Sequence, residues 1–231
     1  FTDYNINNFS EPLTNYFTNI DNYTIRNFIS ILKDFDITNY ENFYFTLIHN
    51  IIWTILNVVL HVSIGVGLAL ILNDATLKGR TFFRIIYILP WAVPSYLTAL
   101  IWKGMFHKQF GAVNGFLNLF GFESISWFLN PITAFLANLA TNVWLGFPFM
   151  MVVALGALQS IPKELYEAAD IDGATKWQGF WNVTFPLLKP AMIPSIILGT
   201  IWTFNQFNVI YLVSGGGPDG ATEILITDAY R

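Results

Sequence analysis

Eight polar side chains stand inside long runs free of Asp, Glu, Lys and Arg: Asn57, His61, Ser95, Asn138, Asn142, Asn205, Gln206 and Asn208. Carboxamides and hydroxyls donate and accept hydrogen bonds without bearing charge, so this set suits a neutral, hydroxyl-rich solute better than an ion. Aromatic rings accompany them. Trp91, Trp144, Phe149 and Phe204 offer apolar faces on which the C–H side of a sugar ring can stack while amides bind its hydroxyls. The competing use of such groups is hydrogen bonding between helices, which fits Asn57, His61 and Asn138 better than Asn142, Asn205 and Gln206. Other chemistry has little to stand on. His61 has no carboxylate partner in any run for a proton relay, the runs hold no nucleophile–base pair or metal cluster, and cysteine is absent. The stretch "SGGGPDG" (214–220) lacks the lysine that a phosphate-cradling loop requires.

The elements that must hold these groups follow from composition. Of the 231 residues 54% are hydrophobic and only 11% charged, against roughly 25% charged in soluble proteins, which argues for a membrane protein. A membrane-crossing helix needs about 20 apolar residues. Four runs qualify, Asn50 to Asn73, Ile85 to Trp102, Pro131 to Pro162 and Pro190 to Pro218, predicting an all-α polytopic membrane protein with spans near 46–73, 84–102, 132–158 and 190–214. Lys78, Arg80, Arg84, Lys163, Lys176 and Lys189 cluster in the two short connections, which places loop 74–84 and loop 160–189 in the cytoplasm. Residues 1–45 then form an outer segment, in which "NYTIRNFISILKDF" (22–35) has the spacing of an amphipathic helix lying on the membrane face. Outer loop 103–130 alternates aromatics with glycines and predicts short interfacial helices. Pro90, Pro94 and Pro148 are expected to break or kink their spans near the polar residues.

The stretch "ELYEAADIDGATKWQGFWNVTFPLLKP" (164–190) predicts two helices about a glycine bend. Ser160 is expected to cap the first, with Pro162 in its opening turn and Glu164 near the positive end of its dipole. Gly173 supplies the positive φ of the bend, Thr175 and Gln178 form a capping box, and Pro186 stops the second helix where the next span begins. A helix resting on an anionic leaflet would be basic; this one carries Glu164, Glu167, Asp170 and Asp172 against Lys163. Its acidic face suits a basic groove on a cytoplasmic protein.

"EAADIDGATKWQGFWNVTFPLLKP" (167–190) closely resembles the signature loop of the membrane subunits of binding-protein-dependent ABC importers: E-A-A, three residues, then glycine, with an apolar, proline-ended close. Val183 and Phe185 depart from the usual residues of that close. The resemblance runs from about residue 45 onward. "GRTFFRIIYILPWAVPSYLTALIWKGMF" (79–106), "NVWLGFPFMMVVALGALQSIPKELYEAA" (142–169) and "FNQFNVIYLVSGGGPDGATEILITDAYR" (204–231) are similar to the maltose/maltodextrin-type permease subunit.

That resemblance implies the transmembrane domain of a type I ABC importer in a bacterial cytoplasmic membrane, residues 46–231 forming the permease domain, with further spans before residue 1 and after residue 231. It implies two cytoplasmic ATPase subunits that hold ATP and Mg, a second related permease subunit, and an external sugar-binding protein, with no cofactor and no ATPase site in this chain. Coupling to the ATPase falls to Glu164, Glu167, Ala168, Ala169, Asp172 and Gly173. The sugar site falls to Trp91, Ser95, Asn142, Leu145, Gly146, Phe149, Asn205 and Gln206; Trp91 and Phe149 stand where tyrosine is expected, and Thr203 replaces an amide. The implied function is movement of a maltodextrin-like oligosaccharide by alternating access. The alternatives are an ABC permease for another solute, where a phosphate or carboxylate would call for Arg or Lys in the spans, and a secondary transporter, which should show intramembrane carboxylates and inverted repeats.

Overall fold

A computed structural model describes residues 29–231. The chain divides into two units, residues 1–45 and 46–231. In the first, residues 29–33 are helical, and the rest of the amphipathic segment expected over 22–35 lies outside the described residues. Asn42 Nδ2 donates to Asp34 O (2.9 Å) and the Tyr44 hydroxyl to Leu32 O (2.8 Å), pinning the turn between. Asp36 accepts from the backbone and hydroxyl of Thr38, which holds its carboxyl below the ordinary range.

The larger unit is all helical among the described residues, as the charge-free runs predict. Helix α1 is Phe43–Asn73, α2 Arg80–Ala92, α3 Ser95–Met105, α4 Ala112–Leu119, α5 Pro131–Ser160, α6 Lys163–Ile171, α7 Lys176–Phe204, α8 residues 207–214 and α9 Leu225–Asp228. Three of these, α1, α5 and α7, are each long and apolar enough to cross a bilayer alone. Helix α5 is the pillar: α2, α3, α7 and α8 all pack on it. Small residues set the approach to α1, since a Cβ on Gly65 would stand 2.7 Å from Met150 Cβ, a separation no real pair adopts.

The run 85–102 breaks at one of its prolines, as expected: α2 and α3 meet at 96°, with Pro94 as the first residue outside α3 and Val93 extended before it. A residue preceding proline is disfavoured in the helical region, and Val93, extended before Pro94, is where the chain leaves α2. Pro90, by contrast, sits inside α2 and Pro148 inside an unbroken α5. The fourth span begins earlier and ends sooner than 190–214: α7 runs from Lys176 through Pro186, Pro190 and Pro194 to Phe204. Pro186 does not stop it. A π turn at Phe180–Thr184 precedes that proline, and its wider register spares the ring the clash with the carbonyl four residues back. The chain breaks instead at Asn205 and Gln206, after which α8 turns away.

The connection 103–130 contains α4 and is organised by Asn114, which is 1% exposed. Its amide donates to Lys108 O (3.1 Å) and Ile125 O (2.9 Å), and its oxygen accepts from Ile125 N (3.1 Å) and Trp127 Nε1 (3.0 Å). All four capacities of that side chain are used. Asn50 works similarly, donating to Phe204 O (3.2 Å) at the end of α7 and accepting from Leu225 N (3.0 Å) at the start of α9.

Candidate functional site

The two broken spans and the pillar α5 enclose a cavity of about 600 Å³. All eight residues expected at a solute site line it. Trp91 comes from the end of α2 and Ser95 from the start of α3; Asn142, Leu145, Gly146 and Phe149 come from two turns of α5; Asn205 and Gln206 come from the break after α7. The spacing 142, 145, 146, 149 is that of one helix face, which is how four positions of α5 reach one wall.

The polar groups form a chain across three elements. Asn142 Nδ2 donates to Asn57 Oδ1 (2.8 Å), and Gln206 Nε2 donates to Asn142 Oδ1 (3.0 Å). Asn57 in turn donates to Trp53 O (2.8 Å), one turn back on α1. His61 Nε2 lies 2.9 Å from Asn142 O; a carbonyl only accepts, so that nitrogen carries the proton. On the far wall Asn208 Nδ2 donates to Ser95 Oγ (3.0 Å), tying the break between α2 and α3 to the break between α7 and α8. Asn205 turns its amide onto Ile201 O (2.9 Å), capping the end of α7. Asn57 is therefore an interhelical partner rather than a lining group, and Asn138 donates to Ser214 Oγ (2.9 Å) away from the cavity. His61 does both jobs, since it binds Asn142 O and lines the cavity.

Gly146 has a packing reason beside its place on the wall: any Cβ there would overlap the His61 ring. The aromatic wall also differs from expectation. Trp91 and Phe149 lie with centroids 6.2 Å apart, and Trp202, which sequence reasoning passed over, extends the row at 5.3 Å from Phe149. Trp144 stands instead beside Trp102 and Phe147, and neither it nor Phe204 lines the cavity. The signal for Trp202 was available, because it lies three residues before Asn205 in the same charge-free run. Thr203 is buried; its carbonyl accepts from Trp53 Nε1 (3.1 Å). No charged side chain lines this cavity.

At the opposite end of α7 lies the acidic hairpin, which touches the bundle through Tyr166. Helix α6 has no buried residue, and Glu164, Glu167, Ala168, Asp172 and Gly173 are exposed while Ala169 is partly covered. Gly173 takes φ +76°, as the bend requires. The Thr175–Gln178 capping box is present, with Gln178 Oε1 accepting from Thr175 N (2.8 Å). Ser160 does not cap α6: it is the last residue of α5, with its hydroxyl bonded to Ala157 O (2.7 Å), and Pro162 takes the cap position without a side-chain acceptor. The kink between α5 and α6 leaves Ser160 on the wrong side of the boundary. The Tyr166 hydroxyl lies 3.0 Å from Thr184 Oγ1, joining α6 to the π turn of α7.

Residues 61–231 match the family described as "Binding-protein-dependent transport system inner membrane component". The chain is similar to the maltose/maltodextrin transport system permease protein MalF of Yersinia pestis, 39% identical over 215 residues that cover 89% of this chain and 40% of that protein. It is similar to the galactooligosaccharides transport system permease protein GanP of Bacillus subtilis (strain 168), 41% identical over 198 residues covering 83% of this chain and 47% of that one. The chain thus spans less than half the length of these relatives. In fold it resembles a bacterial ABC transporter involved in import of the acidic polysaccharide alginate, with a TM-score of 0.68, 23% identity, and coverage of 80% of this chain and 66% of that one.

Proposed function

The chain belongs to the inner-membrane components of binding-protein-dependent transport systems, and from that premise we propose that it is a permease subunit of an ATP-driven importer of neutral, maltodextrin-like oligosaccharide. The observation that carries the reading is the cavity. Its volume falls within the roughly 300–1,000 Å³ of small-molecule sites, and it brings the amides of Asn142 and Gln206 into one lining with the rings of Trp91, Phe149 and Trp202. Amides bind hydroxyls, rings stack on C–H faces, and the absence of charge in the lining suits a solute without charge. A phosphorylated or acidic solute would need a cation there. The relatives' printed names, maltose/maltodextrin and galactooligosaccharide, support the same class.

Movement is by alternating access. Helix α7 runs without a break from the acidic hairpin to the cavity wall, so a displacement of α6 is delivered to Thr203 and the break at 205–206 along one rod. The exposed carboxylates of Glu164, Glu167 and Asp172, with Ala168, Ala169 and the bend at Gly173, form the surface that docks in a cleft of a cytoplasmic ATPase subunit. ATP and Mg belong to two such subunits; this chain holds no cofactor and hydrolyses nothing. A second permease subunit completes the pathway, and an external binding protein delivers the sugar to the end of the unit that carries loop 103–130.

The test is ATPase stimulation and uptake by the reconstituted importer against a panel of neutral and acidic oligosaccharides, with the cognate binding protein present. Neutral oligosaccharides should stimulate and uronate chains should not. Stimulation by acidic sugars alone, or uptake driven by a proton gradient without ATP, overturns the proposal.

A further inference from the structure

At the hairpin end of the bundle a second cavity, about 570 Å³, opens between the end of α1, the start of α2, the end of α5 and the start of α6. Its lining contains three cations, Arg80, Arg84 and Lys163, and no carboxylate. Among the described residues none of the three has an acidic side chain within ion-pair distance; the salt bridge present, Arg231 with Glu223, involves none of them. Glu164, next to Lys163 in the chain, is exposed and does not line the cavity, and Asp74 is exposed and occupied: its carboxylate accepts from Thr76 N (2.8 Å) and Thr76 Oγ1 (2.7 Å), which holds it below the ordinary carboxylate range.

Two further features point to an anion. Both helices that start here, α2 at Arg80 and α6 at Lys163, lack a side-chain cap, and the positive ends of their dipoles begin at residues that line the pocket. Arg84 is anchored through Nη2 to Leu72 O (3.1 Å), the carbonyl left open at the end of α1, yet its Nε is buried without an acceptor. A buried guanidinium N–H without a partner is costly, and a phosphate oxygen seated in the pocket would satisfy it.

The surroundings select the kind of anion. Beyond the pocket α2 turns Phe82, Ile85 and Leu89 outward, each more than half exposed, and α1 does the same with Ile71. Exposed apolar faces on spans suit contact with acyl chains, which sets the cations beside them at the level of a lipid headgroup. We propose that Arg80, Arg84 and Lys163 bind the phosphodiester headgroup of an anionic phospholipid in the leaflet at the hairpin end. The lipid bridges the α1–α2 connection to the root of α6 and holds the acidic hairpin in place. This inference rests on membrane insertion and not on which solute is carried.

The protein, purified from membranes with its partner subunits, is placed in nanodiscs of equimolar phosphatidylcholine and phosphatidylglycerol. It is then extracted in mild detergent, and the retained lipids are quantified by native mass spectrometry. Wild type should retain phosphatidylglycerol over phosphatidylcholine, and K163Q should lower that preference about fivefold, with a similar step for Arg80→Gln. Because Arg84 also caps α1, R84K, which keeps the charge, is used there and should lose less than R84Q. The pair K103Q/K108Q, on the connection at the other end, should leave the preference unchanged. Equal retention by wild type and K163Q overturns the proposal, as does an equal loss in K103Q/K108Q. Displacement of the lipid by millimolar inorganic phosphate would make this a free-anion site and overturn the lipid assignment.

Discussion

The two ends of α7 are built on opposite plans. Around the cavity, Asn57, His61, Asn142 and Gln206 are hydrogen bonded across α1, α5 and the 205–206 break, and each would be stranded if a neighbouring element moved away. At the hairpin, no residue of α6 is fully buried, Tyr166 alone of its side chains reaches the core, and its form comes chiefly from local chemistry: a glycine at φ +76°, a capping box, and one tyrosine–threonine hydrogen bond. Polar groups inside a bilayer must find partners within the protein, whereas those at its surface have water. The cavity is therefore preorganised by tertiary contacts, and the hairpin is a self-made shape whose exposed side is free to dock. Substitutions at the first should disturb stability and transport together; at the second they should disturb coupling alone.

The largest effect should come from Gly146. Gly146→Ala sets a methyl group into the His61 ring and should lower stability by about 2 kcal/mol, read as a fall in thermal unfolding temperature in detergent. Gly156→Ala, where a Cβ meets nothing within 4 Å, should be neutral. Rescue of Gly146→Ala by His61→Ala would establish the contact; failure of the rescue would remove it. Asn142→Leu comes next. It strands Asn57 Oδ1 and Gln206 Nε2 at about 0.6 to 2 kcal/mol per lost bond. Sugar uptake should fall at least about tenfold, that being 1.4 kcal/mol in transition-state or binding energy, while the complex with the ATPase still assembles. Normal uptake would take Asn142 out of the site.

Gly173→Val forces a β-branched residue to φ +76°, at about 1–2 kcal/mol of purely local strain. Protein levels should hold while ATP hydrolysis continues without uptake; unchanged transport would break the contrast between the two ends. The smallest effect on stability belongs to Glu167→Gln, within about 0.5 kcal/mol because the side chain is exposed. Its association with the ATPase should nonetheless weaken, and lose part of its salt dependence, which a pull-down at two ionic strengths reads directly.

Particular residues explain what sequence reasoning reached. The α5 face 142, 145, 146, 149 was legible because helical spacing alone puts those positions together, and the hairpin was legible because Gly173, Thr175 and Gln178 act on their own neighbours. Ser160 and Pro186 misled for a shared reason: capping residues and prolines mark where a helix can end, and the packing of α5 and the π turn of α7 chose otherwise. The roles of Asn50 and Asn114 were invisible because their partners are distant in the chain or lie in loops of no regular period.

From its order of residues alone the chain was bound to be helical, membrane-embedded and uncharged along its spans, and to carry an acidic hairpin, since hydrophobic run length and local capping act over a few turns. Only the folded molecule decided at which residues the spans break, that these breaks face each other through Asn208 and Ser95, and that amides from three elements close one chain of hydrogen bonds. Those outcomes depend on which helices touch. In a bilayer that is settled by close backbone approach at residues such as Gly65 and by the need of every buried polar group for a partner.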